Sequence, residues 1–267
     1  MPFGLSIETI TGITATIAAN RSVTRVILFG SRAKGNPRPG SDIDIAVTGS
    51  GLSLDDYLSF SLQIDRLELA QKVDLVDHLK INDDELIDHI RRVGVVLYEN
   101  GRFRKYGLPP VIDYNSRILI LGTFPSEISL EKQQFYANPA NKFWMILCSV
   151  INESYTLNYD QRIQLLKKHR IALWDVVESC LREGSGDNEI RFERPNDLET
   201  LINQFPSLTH LLFNGTNPVR FFTKLGLDEG PMVLVPSLPS SSGLNTHLTL
   251  SEKIDRWAVI HYIPGFH

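Results

Sequence analysis

Apolar positions along the chain fall into two alternating kinds of run. From Ser6 to Ala19 they recur at helical spacing, Val23 to Phe29 is a short, mostly apolar run, and Asp42 to Val47 alternates polar with apolar. These patterns predict a helix followed by two strands. Leu54 to Leu69 and Asp83 to Arg92 read as helices, with Val73 to Val76 as a strand between them. The stretch Gly101 to Pro110 is basic, closes with two prolines, and has the composition of a linker. Beyond it the alternation resumes: Arg117 to Leu121, Leu208 to Phe213 and Met232 to Val235 are expected strands. Lys142 to Ile151, Tyr159 to Lys168, Asp197 to Gln204, Pro218 to Leu225 and Leu250 to Ile260 are expected helices. Strands alternating with helices predict an α/β fold with a largely parallel sheet covered on both faces. Such sheets take ligands beyond the carboxyl ends of their strands. The break at the linker divides the chain into domains at 1–107 and 108–267.

Composition narrows the function classes further. A chain of 267 residues that is 42% hydrophobic and 22% charged is neither disordered nor a coiled coil. No apolar run reaches the roughly 18 residues of a membrane span, and the N-terminus lacks a signal-peptide pattern. The expectation is a cytoplasmic protein with no membrane partner. Two cysteines, Cys148 and Cys180, are too few to build a zinc or iron–sulfur site alone and are expected as buried free thiols. A net charge of −4, from 27 basic and 31 acidic residues, excludes nucleic-acid binding by bulk positive charge. It leaves room for a local basic groove.

Two clusters carry candidate chemistry. In the first, a strand ends in Gly30-Ser31, a basic loop with Arg32 follows, and the next strand carries Asp42 and Asp44. Side chains two apart on a strand share a face, and Asp74 stands on the following predicted strand. Three hard oxygen donors suit Mg²⁺, which recruits substrate phosphates. Gly30 permits close backbone approach to a triphosphate, with Ser31 and Arg32 near its oxygens. This order of segments resembles the minimal nucleotidyltransferase family of the polymerase-β superfamily over about residues 1–100. The resemblance implies a small mixed-sheet domain and metal-dependent transfer of a nucleoside monophosphate, often in toxin–antitoxin pairs. It places Mg²⁺ at Asp42, Asp44 and Asp74, a nucleoside triphosphate at Gly30, Ser31 and Arg32, and a partner protein or RNA as acceptor. Two plainer readings stand beside it: ordinary aspartates at a strand start, or an intact fold used only for docking.

In the second cluster the strand Ile118 to Leu121 breaks into Gly122-Thr-Phe-Pro-Ser126, followed by Phe135-Tyr-Ala-Asn-Pro-Ala-Asn141 and Phe143-Trp144. Aromatics beside amides suit a planar heterocycle, stacking on its faces and hydrogen-bonding its edge. A further amide, Asn214, follows the strand ending at Phe213, and a loop of small residues runs from Ser237 to Asn245. With Leu173-Trp-Asp-Val-Val177 and Ser179 to Ser185, these segments resemble the uracil-DNA glycosylase superfamily, and within it the hypoxanthine-DNA glycosylase family, over about residues 113–260.

That resemblance implies a three-layer α/β/α domain that flips a base out of double-stranded DNA and hydrolyses its N-glycosidic bond. It assigns catalysis to Asn141 and the base pocket to Gly122, Thr123, Phe124, Pro125, Tyr136, Phe143 and Asn214. Ser240, Ser241, Ser242 and Leu244 would hold DNA, with Leu244 as a wedge. Base excision of this kind needs no cofactor, and without an evident nucleophilic lysine (Lys142 is the nearest) it leaves an abasic site. No carboxylate lies in Gly122 to Ser126, where many superfamily members carry a water-activating acid. The chain departs from the family at Ser242-Gly243-Leu244, where Ser-Pro-Ala is usual; glycine there is expected to loosen the loop and free space. The target is then an altered base, either deaminated or a modified base of foreign DNA, which fits a setting of phage defence. Plainer roles remain for single residues. Asn141 also suits a helix cap, Phe143 and Trp144 suit a core, and Asp175 suits a turn. His247, Arg191 and Arg194 suit a solvated surface.

Overall fold

The computed structural model describes residues 2–235 and 237–264. They form two compact units, one of residues up to 105 together with 181–183, the other of residues 106–180 and from 184 onward. The first unit opens with α1 (Ile7–Ala18), whose start is fixed by Ser6 Oγ accepting from Thr9 N–H and whose Ile10, Ile13 and Ile17 are buried. Strands β1 (Val23–Phe29) and β2 (Ile43–Gly49) flank the short α2 (Gly30–Ala33). Then follow α3 (Leu54–Asp65), β3 (Val73–Asp77), α4 (Asp84–Val93), β4 (Val95–Glu99) and β5 (Arg102–Tyr106). The sheet is mixed, in the order β3-β2-β1-β4-β5. β1 runs antiparallel to β2 and β4, while β2 and β3 are parallel and set Asp44 directly beside Asp74.

The linker expected at Gly101 to Pro110 is corrected by this arrangement. Residues 102–106 form β5, which turns back on β4 through the pairs Tyr98↔Phe103 and Glu99↔Arg102. Asn100 and Gly101 both adopt positive φ, the geometry of a tight hairpin turn. Its three basic side chains, Arg102, Arg104 and Lys105, give this strand the composition of a linker.

The second unit carries β6 (Ile118–Gly122), α5 (Glu127–Lys132), α6 (Phe143–Val150), α7 (Tyr159–Lys168), β7 (Ile171–Asp175), β8 (Val177–Leu181) and β9 (Arg191–Pro195). It continues with α8 (Leu198–Gln204), β10 (His210–Phe213), α9 (Thr216–Lys224), β11 (Val233–Leu234) and α10 (Leu250–Trp257). Its four-stranded sheet, ordered β11-β10-β6-β7, is parallel throughout. All of β6 is buried, and its period of two sorts its side chains between two cores. Ile118 and Ile120 pack with Phe143, Leu147 and Trp257 on the side of α6 and α10. Leu119 and Leu121 pack with Leu201, Ile202, Phe221 and Phe222 on the side of α8 and α9. The result is three layers. Cys148 and Cys180 are both free thiols in the interior. Among the described residues, no helix is long and apolar enough to cross a membrane.

Candidate base-excision cleft

A cleft of about 840 Å³ opens where β6, β7 and β10 end, the place a parallel sheet reserves for ligands. Its wall includes Gly122, Thr123, Phe124, Pro125, Tyr136, Asn141, Asn214, Ser240, Ser241, Ser242 and Leu244, segments more than a hundred residues apart in sequence. The loop after β6 is pinned by Val176 N–H donating to Gly122 O and Val177 N–H to Thr123 O, at 2.9 and 3.0 Å. At Gly122 the backbone makes room for its neighbours. A Cβ there would overlap Asp175 Oδ1 and stand 3.2 Å from the Tyr136 hydroxyl.

Tyr136 sits at φ 54°, and its ring stacks flat on Phe143, with centroids 3.8 Å apart and planes 13° from parallel. Its hydroxyl is buried at the floor of the cleft. Burial first, and then the Asp175 carboxylate, push its pKa well up, so the phenol stays protonated. Asn141 lies just before Lys142, the residue that caps α6. Its Oδ1 accepts from Phe143 N–H at 2.9 Å, which closes the start of α6, while the residue lines the cleft. The cap bond fixes the amide plane, and among the described residues the Nδ2 group makes no hydrogen bond.

Three expected site residues take other tasks. Phe143 is completely buried behind Tyr136 and does not line the cleft; it reaches the pocket only through that stacked ring. Ser241 is also completely buried, so it cannot meet a phosphate. Its N–H donates to Asn214 Oδ1 at 2.9 Å, its Oγ accepts from Asn214 Nδ2 at 2.8 Å, and its carbonyl accepts from Lys142 N–H. Asn214 thereby clamps the loop, and a buried two-way amide clamp of this kind is costly to break. The space expected at Gly243 is absent, since a Cβ there would stand 2.7 Å from Ala140 O. Glycine lets this loop press against the segment that carries Asn141. Leu244, by contrast, is 90% exposed on the rim, as a wedge must be.

Two carboxylates reach the cleft from outside the Gly122–Ser126 segment. Asp175 ends β7 and is only 4% exposed. Asp187 stands between β8 and β9, with Thr123 Oγ1 and Asn217 Nδ2 donating to its Oδ2 at 2.8 and 3.0 Å. Sequence reasoning did not single out Asp187 or Asn217. The signals were a polar run, Gly184-Ser-Gly-Asp-Asn188, and an amide three residues after Asn214. His247 is exposed, Arg191 bonds the carbonyls of Asn188 and Ile190, and Arg194 faces Glu178 at 3.6 Å.

In the first unit Asp44 and Asp74 are neighbours across β2 and β3. Burial raises the Asp44 pKa above the ordinary carboxylate range, and the charges of Asp74 and Asp42 add to the effect. Gly30, at φ 72°, lies so close that a Cβ would overlap Asp44 Oδ2. Asp74 pairs with Lys72 at 2.6 Å. Among the described residues no group of three or more acidic, histidine or cysteine side chains is arranged as a formed metal cage. Ser31 is partly exposed beside Gly30. Arg32 does not face a ligand: it is buried, and its guanidinium donates to the carbonyls of Phe3, Gly4, Ser41 and Asp42. It ties the turn between β1 and β2 to the N-terminus.

The family model described as polymerase beta, nucleotidyltransferase matches residues 12–102, and that of the uracil DNA glycosylase superfamily matches residues 109–262. A hypoxanthine DNA glycosylase of Methanosarcina acetivorans is 38% identical over 159 residues, covering 59% of this chain and 99% of its own length. One from Methanosarcina barkeri is 44% identical over 113 residues, covering 42% of this chain and 72% of its own. A solution NMR structure from Methanosarcina acetivorans, described provisionally as a uracil DNA glycosylase, is 36% identical with a TM-score of 0.49, covering 60% of this chain and 99% of that one. With more than half its length matched and a relative aligned almost end to end, the chain belongs to the uracil DNA glycosylase superfamily.

Proposed function

We propose that the protein is a DNA glycosylase that flips an altered base out of double-stranded DNA and hydrolyses its N-glycosidic bond, leaving an abasic site. The observation that carries this reading is the convergence of Asn141, Tyr136 and the Gly122–Pro125 loop on one cleft whose rim bears the exposed Leu244. Breaking the bond leaves an oxocarbenium-like sugar and an anionic base. Fixed donors at the pocket floor stabilise the departing base; the neutral Tyr136 hydroxyl and the backbone of the Gly122 loop are suited to that task. Asn141, its plane locked by the Phe143 N–H, orients water at the sugar. The enzyme is read as monofunctional, with water and not a lysine as the nucleophile. Hypoxanthine is the base in the names of the relatives; here the candidates are deaminated bases and modified bases of foreign DNA, with phage defence as the setting. The test is incubation with duplexes bearing uracil, hypoxanthine or modified cytosines, and with phage genomic DNA, followed by abasic-site detection. Abasic sites from one of these substrates support the reading, and none from any of them contradicts it.

A second reading concerns the first unit. Mg²⁺ and a nucleoside triphosphate would be held by Asp42, Asp44 and Asp74 with Gly30 and Ser31, for transfer to a partner protein or RNA. What supports it is the raised Asp44 pKa, in part the work of two neighbouring negative charges, a repulsion that a divalent cation relieves. Lys72 must then release Asp74.

A further inference from the structure

The glycosylase motif of this chain lacks a carboxylate, yet its cleft contains one held for use. Resting on the glycosylase reading above, we propose that Asp187 is the catalytic base that accepts the proton of the hydrolytic water. Asp187 stands on the connection between β8 and β9. Thr123 Oγ1, from the loop after β6, and Asn217 Nδ2, from the first turn of α9, both donate to the same oxygen, Oδ2. Two donors from two elements fix the plane of the carboxylate. Oδ1 takes no hydrogen bond among the described residues, and Asp187 is one of the residues that line the cleft. Thr123 directly follows Gly122, so the loop that shapes the base pocket also sets the position of the acid.

The rival is Asp175, which also lines the cleft, but it is only 4% exposed and its Oδ1 packs against Gly122. Asp187 lines the same cleft and is half-buried, so solvent reaches it more readily than Asp175. An acceptor-only group with one oxygen anchored and one open is what a water-orienting base requires.

The step balances as follows. The bond from the sugar C1′ to the base nitrogen breaks, and its electron pair leaves on the base. The water oxygen then bonds to C1′ while one of its O–H bonds breaks and that proton passes to Asp187 Oδ1. The carboxyl afterwards gives the proton to solvent or to the departed base, so the net change is addition of water.

Asp187→Asn is the direct test, because the amide oxygen of asparagine still accepts from Thr123 and Asn217 while the basic oxygen is gone. The measurement is single-turnover excision against pH, on whichever duplex bearing uracil, hypoxanthine or a modified cytosine the wild-type protein cuts. The expected result is a loss of about 10²- to 10⁴-fold in rate, unchanged affinity for the duplex, and loss of the rise in rate on the acid side of the profile. Thr123→Val, which loosens the carboxylate but keeps it, is expected to slow excision and retain that rise. Wild-type rates or an unaltered profile in Asp187→Asn overturn the assignment, as does loss of the acid-side rise in Asp175→Asn alone. Absence of excision by the wild-type protein on every duplex overturns the glycosylase reading itself, and this inference with it.

Discussion

Gly122→Ala tests the geometry of the cleft floor through stability as well as activity. A Cβ at this position would overlap Asp175 Oδ1 and approach the Tyr136 hydroxyl to 3.2 Å. Neither neighbour can yield easily. Asp175 is Gly122's register partner across β6 and β7, and its carbonyl is tied by Asn196 Nδ2 at 2.7 Å. Tyr136 is backed by Phe143, which is wholly buried. Overpacking of this kind costs about 1–3 kcal/mol, against the roughly 0.4–1 kcal/mol that Gly→Ala gains where the backbone accepts alanine. The net expectation is a loss of up to about 2.6 kcal/mol, centred near about 1.3 kcal/mol, and a fall in excision rate, because Asp175 and Tyr136 are displaced at the pocket. Gly186→Ala supplies the contrast. Its φ of −76° suits alanine and a Cβ there meets nothing within 4 Å, so stability is expected to rise by about 0.4–1 kcal/mol. Urea unfolding followed by tryptophan fluorescence reads the correct unit, since all three tryptophans, Trp144, Trp174 and Trp257, belong to the second. If Gly122→Ala is as stable as the wild-type protein, or shifts in the same direction as Gly186→Ala, the packing argument fails.

Arg32→Ala is expected to destabilise the first unit by at least about 1–3 kcal/mol, the cost of one buried carbonyl left unsatisfied, here that of Phe3, as read by hydrogen exchange in β1 and β2; wild-type protection would return Arg32 to the ligand site. Asp44→Asn should stabilise the same unit at neutral pH. Because the folded pKa is raised, the folded state binds more protons than the unfolded one as pH falls from that raised value to the ordinary carboxylate value. Wild-type stability is therefore lost as pH rises through this window, and the advantage of Asp44→Asn should vanish below it; a constant difference across pH contradicts the assigned cause. EDTA is expected to spare base excision and to abolish any nucleotidyl transfer, and loss of excision restored by Mg²⁺ would place the chemistry in the first unit.

Elements with a strong local pattern were legible in the sequence. The bounds of Val23–Phe29 and Tyr159–Lys168 are legible to the residue, because one is a short, mostly apolar run ended by Gly30 and the other a polar helix opened by Asn158. β4 and β5 were not read as strands. Arg102-Phe-Arg-Lys-Tyr106 is a strand whose charges imitate a linker, and its pairing in the sheet, not its local pattern, defines it. β7 was missed because Ile171–Asp175 is short and buried on both faces, a pattern that periodicity cannot separate from a helix segment. For the cleft, motif order was enough to gather Gly122, Tyr136, Asn141 and Asn214. Side-chain direction was not legible: nothing local tells Phe143, which backs the pocket, from Tyr136, which lines it. Nor does spacing show that Ser241 spends its polar groups on the Asn214 amide and Arg32 its guanidinium on backbone carbonyls. Asp187 was illegible for a related reason, since its partners Thr123 and Asn217 are 64 and 30 residues away.

The most direct measurement is single-turnover base release by Asn141→Ala, with folding and duplex binding measured alongside. Losing the bond from Phe143 N–H to Asn141 Oδ1 should cost about 1 kcal/mol of stability, leaving the protein folded and able to bind DNA. The account predicts that base release falls by at least roughly 100-fold. Undiminished release by a folded, DNA-binding Asn141→Ala protein would contradict it.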